Sequence, residues 1–114
     1  MTQPVRLNLV EGSVSFRFTV AAAQDLKKEI DQLLLRLRTI ASAKSAGNRP
    51  DPQPVMEYQH TGDIFLEVFC NPNIWAGPFA AKVLLTLRDD RIRITTEAEL
   101  TRLIDDLNQY LDEA

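Results

Sequence analysis

The chain is expected to fold as an α+β protein, a two-layer sandwich with a mainly antiparallel sheet of four to six strands and two long helices on one face. Three features lead there. Two stretches, 5–20 and 80–95, alternate apolar and polar residues with the period of half-buried strands, each around a two-residue turn. Each is followed at once by apolar residues at three- and four-residue spacing, the stripe of a helix lying on a surface. Between them, Ile64, Leu66, Val68 and Cys70 alternate with Phe65, Glu67 and Phe69, a strand apolar on nearly both faces that belongs in the middle of a sheet. The 114 residues, 45% apolar and 25% charged, have the size and composition of one globular domain spanning 1–114.

The first hairpin, 5–20, is expected to turn at Glu11-Gly12, which sets Leu9 opposite Val14, Leu7 opposite Phe16 and Val5 opposite Phe18. Arg6 and Arg17 then share the other face. The helix of 21–45 carries Leu26, Ile30, Leu33, Leu37 and Ile40 on its stripe and leaves Leu35 outside it, either exposed or part of a dimer seam. Ala46-Gly47-Asn48 is a stop signal. Pro50, Pro52 and Pro54 make 46–54 an irregular connector.

Strands resume over 55–70, broken at Thr61-Gly62-Asp63, and Asn71-Pro72-Asn73 opens an irregular loop over 71–79 that contains Trp75. In the hairpin of 80–95, a turn at Asp89-Asp90 pairs Arg88 with Arg91, Leu87 with Ile92 and Leu85 with Ile94. The last helix, 96–112, is expected to start at Thr96, whose hydroxyl and the Glu99 carboxylate form a T-x-x-E capping box. Leu100, Leu103, Ile104, Leu107, Tyr110 and Leu111 form its stripe. The two outer parts thus share a plan, hairpin then helix, a weak repeat of pattern rather than of residues.

Function is less legible. No dinucleotide, phosphate-loop, zinc or hydrolase motif is present, and no cofactor or metal is expected. Cys70 is the single cysteine, Met1 is not followed by a signal-like segment, and no apolar run reaches the roughly 18 residues a membrane span needs, so a cytoplasmic protein is expected. Glu57, His60, Asp63 and Cys70 fall close together with Trp75 nearby, and they are the candidates if the chain is an enzyme or binds a small ligand. Cys70 lies in the apolar phase of its strand, which speaks for a buried thiol.

The net charge of −3 hides an uneven distribution. Residues 96–114 carry Glu97, Glu99, Asp105, Asp106, Asp112 and Glu113 against Arg102, a net of −5, whereas Lys82, Arg88, Arg91 and Arg93 outnumber Asp89 and Asp90 over 82–95. If both helices cover one sheet face, the other presents Arg6, Arg17, Lys82, Arg88, Arg91 and Arg93, with Phe65 and Phe69 among them. Such a face suits an acidic protein partner, or a phosphate backbone with stacked bases. The leading expectation is a non-catalytic accessory or assembly protein acting through protein–protein contact, with a homodimer among its forms, and nucleic-acid or anion binding is the alternative. The partner-binding candidates are Phe65, Phe69, Trp75, Arg88, Arg91 and Arg93.

Overall fold

Apolar residues at every second position decide both faces of the first two strands. The computed structural model describes residues 2–114; Met1, which entered the reading of the amino terminus, lies outside them. Strand β1 (Thr2–Asn8) pairs antiparallel with β2 (Ser13–Thr19), burying Val5, Leu7, Phe16 and Phe18 and exposing Arg6 and Arg17. Leu7 stands opposite Val14 and Val5 opposite Phe16, not opposite Phe16 and Phe18 as expected. The turn falls one residue earlier, at Val10-Glu11. Gly12, at φ 87°, takes the left-handed position that follows the turn, and the Leu9 amide donates to its carbonyl at 2.9 Å. Moving a turn by one residue shifts each pair by two, so every side chain keeps its face.

Helix α1 (Val20–Ser45) follows without a linker, capped by the Thr19 hydroxyl, which accepts from the Ala22 amide at 3.0 Å. It ends where the stop signal lies. Gly47 adopts φ 77°, and the Asn48 amide donates back to the Ala43 carbonyl at 2.8 Å, a Schellman closure. Leu35 is exposed on its outer surface.

Strands β3 (Met56–Thr61), β4 (Phe65–Cys70), β5 (Lys82–Arg88) and β6 (Arg93–Glu99) form a second, four-stranded antiparallel sheet in that order, with β4 inside it as its apolar character demands. A short 3-10 turn, Pro72–Ile74, follows β4. The expected α+β fold, with two helices and an antiparallel sheet of four to six strands, is borne out by this four-stranded sheet, and β1 and β2 form a separate two-stranded one.

Two expectations about the last third of the chain are corrected. Arg88 pairs with Arg93, not Arg91, because Asp89 pins the turn one residue later: its carboxylate accepts from the amides of Arg91 (2.8 Å) and Ile92 (2.9 Å). Ile92 and Ile94 are left exposed at the sheet's end. The capping box at Thr96 does not form. Thr96 lies inside β6 opposite Leu85, and helix α2 (Leu100–Glu113) begins after Glu99, which makes no side-chain cap. Extending the strand adds the pairs Val83–Ala98 and Lys82–Glu99, each worth roughly 0.2–1 kcal/mol and together comparable to the ~1 kcal/mol of a typical cap.

The shared plan of the two ends is closer than the pattern suggests. The bounds of β1, β2 and the start of α1 recur 80 residues later as those of β5, β6 and α2. Both turns are closed by an amide-to-carbonyl bond, Leu9 to Gly12 and Asp89 to Ile92, and both second strands run straight into a helix.

The core lies between the helices and the strands. Leu26, Ile30, Leu33 and Leu37 of α1 and Leu100, Leu103, Leu107 and Tyr110 of α2 pack in one cluster with Val5, Leu7, Tyr58, Leu66, Val68 and Leu85. Helix α2 lies against β1 and α1, and α1 against β3. Buried hydroxyls are paired: Tyr58 donates to the Ala22 carbonyl (3.0 Å) and Tyr110 to that of Phe18 (2.8 Å). The tip of the first hairpin reaches the far edge of the second sheet, where the Val10 amide donates to the Glu97 carbonyl at 3.1 Å.

Candidate interaction surface

The four-stranded sheet turns one face to the core and leaves the other uncovered, and register fixes what stands there. Met56, Tyr58, Leu66, Val68, Cys70, Val83, Leu85, Leu87 and Ala98 fall on the core side. Opposite pleats place the remaining side chains in rows across the strands. One row runs Thr61, Phe65, Arg88, Arg93; the next Gln59, Glu67, Thr86, Thr95; the third Glu57, Phe69, Leu84, Glu97; and beyond it Lys82 stands beside Glu99.

Four of the expected partner-binding residues, Phe65, Phe69, Arg88 and Arg93, meet on this face. The Arg88 guanidinium lies 4.3 Å from the centre of the Phe65 ring. Arg91 sits at the tip of the β5–β6 turn, next in line after Arg93. Trp75 lies at the opposite corner. There it lines a cavity of about 170 Å³ with Phe69, Ile74, Lys82, Leu84 and Glu97, while also packing against the core. Leu84 (42% exposed) and Ile74 (68%) make this corner apolar.

The surface is not the basic one expected. Arg6 and Arg17 belong to the other sheet, where Arg17 lies 3.8 Å from Asp63. In their place the face carries Glu57, Glu67, Glu97 and Glu99, so acids slightly outnumber Lys82, Arg88 and Arg93. Among the described residues Arg17–Asp63 is the one ion pair within 4 Å, and the charges of the open face are left without partners of opposite sign. Leu84, Glu97 and Glu99 were missed as members of the surface. Leu84 had a signal, an apolar residue in the polar phase of its strand.

The candidate catalytic residues are not brought together. Glu57 projects to the open face, His60 to the core side against the Phe18 ring (5.3 Å between centres), and Asp63 sits in a turn. Cys70 is buried, and burial pushes its thiol up to about 11, the hydrogen bond from Trp75 opposing this only in part. At neutral pH it is a thiol rather than a nucleophilic thiolate. A cavity of about 400 Å³ lies between β1 and α2, bordered by Arg6, Asp106, Gln109 and Glu113. Its floor is structural: Asp106 accepts from the Asn8 amide (2.7 Å) and side chain (2.9 Å).

No helix is long and apolar enough to cross a membrane among the described residues. Comparison with protein-family models, with curated proteins and with solved structures gave no match.

Proposed function

We propose that the chain is a non-catalytic accessory or assembly protein that works by docking the open face of its four-stranded sheet onto another protein. One observation supports this above the rest: an uncovered face on which Phe69 and Leu84 stand side by side and Phe65 lies beyond Glu67, among charges of both signs that make no ion pair within 4 Å. Phosphate binding is less well supported, because Glu57, Glu67, Glu97 and Glu99 repel a phosphate backbone as strongly as Lys82, Arg88 and Arg93 attract it. Catalysis is less well supported, because Glu57, His60, Asp63 and Cys70 do not converge and Cys70 is a thiol rather than a thiolate. A cytoplasmic setting suits the reduced thiol of Cys70.

Affinity capture from source cells tests the reading with two variants of similar chemistry. Leu84→Glu is expected to lose proteins that the wild type retains, and Leu35→Glu, on the exposed side of α1, to retain them. Capture that is indifferent to Leu84→Glu overturns the reading.

A further inference from the structure

We infer that the face is built to receive a second copy of this chain, face to face, about a two-fold axis crossing the strands at the level of Thr86 and Thr95. This rests on the docking reading above and names the partner. The charges on the open face are arranged for it. Along β6 that face carries Arg93, Thr95, Glu97 and Glu99, with Arg93 and Glu97 opposite in sign and equally far from Thr95, and Arg91 lies beyond the strand, in the turn. On β5, Arg88 and Leu84 lie equally far on either side of Thr86. On β4, Phe65 and Phe69 flank Glu67 symmetrically.

A two-fold rotation about the Thr86–Thr95 row lays each residue over its mirror position in the other copy. Arg93 of one copy then meets Glu97 of the other, Phe65 meets Phe69 and Arg88 meets Leu84, while the turn that holds Asp90 and Arg91 comes over the strand ends that hold Lys82 and Glu99. Each contact occurs twice, as an isologous interface requires. The unpaired state of these charges within one chain supplies the reason for the contact. An axis parallel to the strands instead sets Glu57 over Glu97, so like-charge repulsion selects the first orientation.

The same sign reversal would also fit β6 pairing edge to edge with its copy, and two features favour the face. The Glu97 carbonyl, on the outer edge of β6, is already taken by the Val10 amide at 3.1 Å. Edge pairing also leaves Phe65 and Phe69 without a role. The face-to-face contact has two unfavourable elements: Glu67, hydrogen-bonded by Gln59 at 2.8 Å, lies on the axis and meets its own copy, and Arg88 faces Leu84, which offers its charge no partner. Four strands, two of six residues and two of seven, cover about 19 by 20–23 Å, an interface at the small end of specific contacts, so a dimer dissociating in the micromolar range is expected.

Sedimentation of the full chain from roughly 1 to 500 μM, a range that brackets a micromolar equilibrium, tests this. Wild type is expected to pass from monomer to dimer, more weakly at high salt. Reversing one sign in two exposed pairs, Arg93→Glu, is expected to weaken the dimer about tenfold, and Arg93→Glu with Glu97→Arg to restore it. Phe65→Ala weakens it and Glu67→Gln tightens it. Thermal melts confirm that each variant is folded. A wild type that stays monomeric, or a double reversal that fails to restore association, overturns the inference, and a dimer indifferent to Phe65→Ala overturns it in favour of edge pairing. Monomers whose capture of another protein still depends on Leu84 leave the docking reading standing; without that dependence both fall.

Discussion

Asp106 shows how one side chain joins distant parts of this chain. It is 8% exposed on α2 and accepts two hydrogen bonds from Asn8 on β1, at 2.7 and 2.9 Å. It looks like one acid among six over 96–114, yet it occupies a stripe position, three residues after Leu103 and four before Tyr110. Asp106→Ala strands two donors of Asn8 and is expected to cost about 2–3 kcal/mol in urea unfolding, against nearly nothing for exposed Asp105→Ala. Two other buried groups set an alkaline limit. Burial pushes Cys70 from 9.0 up to about 11, and burial with the nearby Asp25 charge pushes Tyr58 from 10.0 up to about 12. Both folded values exceed the unfolded ones, so the folded chain binds more protons over these ranges and loses stability as pH rises. The loss begins near pH 9 for Cys70 and is complete above 11, with the range 10 to 12 for Tyr58. Each is worth at most about 2–3 kcal/mol. Cys70→Ala is expected to flatten the 9-to-11 part of the melting-temperature profile while leaving the Tyr58 part in place. An unchanged slope over that range would contradict the assignment.

The two strand-to-helix junctions form a natural pair for comparison. Thr19 and Glu99 hold equivalent positions 80 residues apart, each the last residue of a seven-residue strand and the N-cap of the helix that follows. Thr19 accepts from the Ala22 amide at 3.0 Å, whereas Glu99 makes no such bond because its longer side chain stands on the open face beside Lys82. Thr19→Ala is expected to lower stability by about 1 kcal/mol. Glu99→Asp keeps the charge and brings the carboxylate within capping reach, so it is expected to raise stability by about 0.5–1 kcal/mol, read as a shift in the urea midpoint. If Glu99→Asp destabilises, the strand geometry rather than the missing cap governs this junction. Elements of this kind were legible in the sequence because period-2 alternation survives a slipped turn. Both hairpins turn one residue away from the expected place, yet Val5, Leu7, Phe16, Phe18, Leu85 and Leu87 are buried as the alternation demands. The turns were misplaced because Gly12 looks like a turn centre and serves after it, and because Asp89 acts through its side chain, neither of which alternation records.

At the scale of the whole molecule, the sequence hid the surface for an identifiable reason. Thr96-x-x-Glu99 imitates a helix start, which assigns Arg91 and Arg93 to a strand and Glu97 and Glu99 to a helix. Once β6 is seen to run to Glu99, Arg93, Glu97 and Glu99 line one face and their reversal in sign becomes visible. The division into two sheets was equally hidden, since which strand lies beside which depends on contacts far apart in sequence. The overall shape offers a separate test of how two copies meet. The radius of gyration is 14.7 Å, above the ~13 Å of a near-spherical chain this long, with extents of 47, 28 and 23 Å. Helix α1, 26 residues and thus about 39 Å long, lies within the helical layer, so the long axis runs along the sheet and the open face looks out along a short one. Stacking two copies on that face separates their centres by one short extent and gives a pair with a radius of gyration of about 19–20 Å. Joining them end to end along the long axis gives about 28 Å. Small-angle X-ray scattering at concentrations where the dimer predominates separates these values well beyond error, and a pair nearer 28 Å would rule out association through Phe65, Phe69 and Leu84 whatever the variants do.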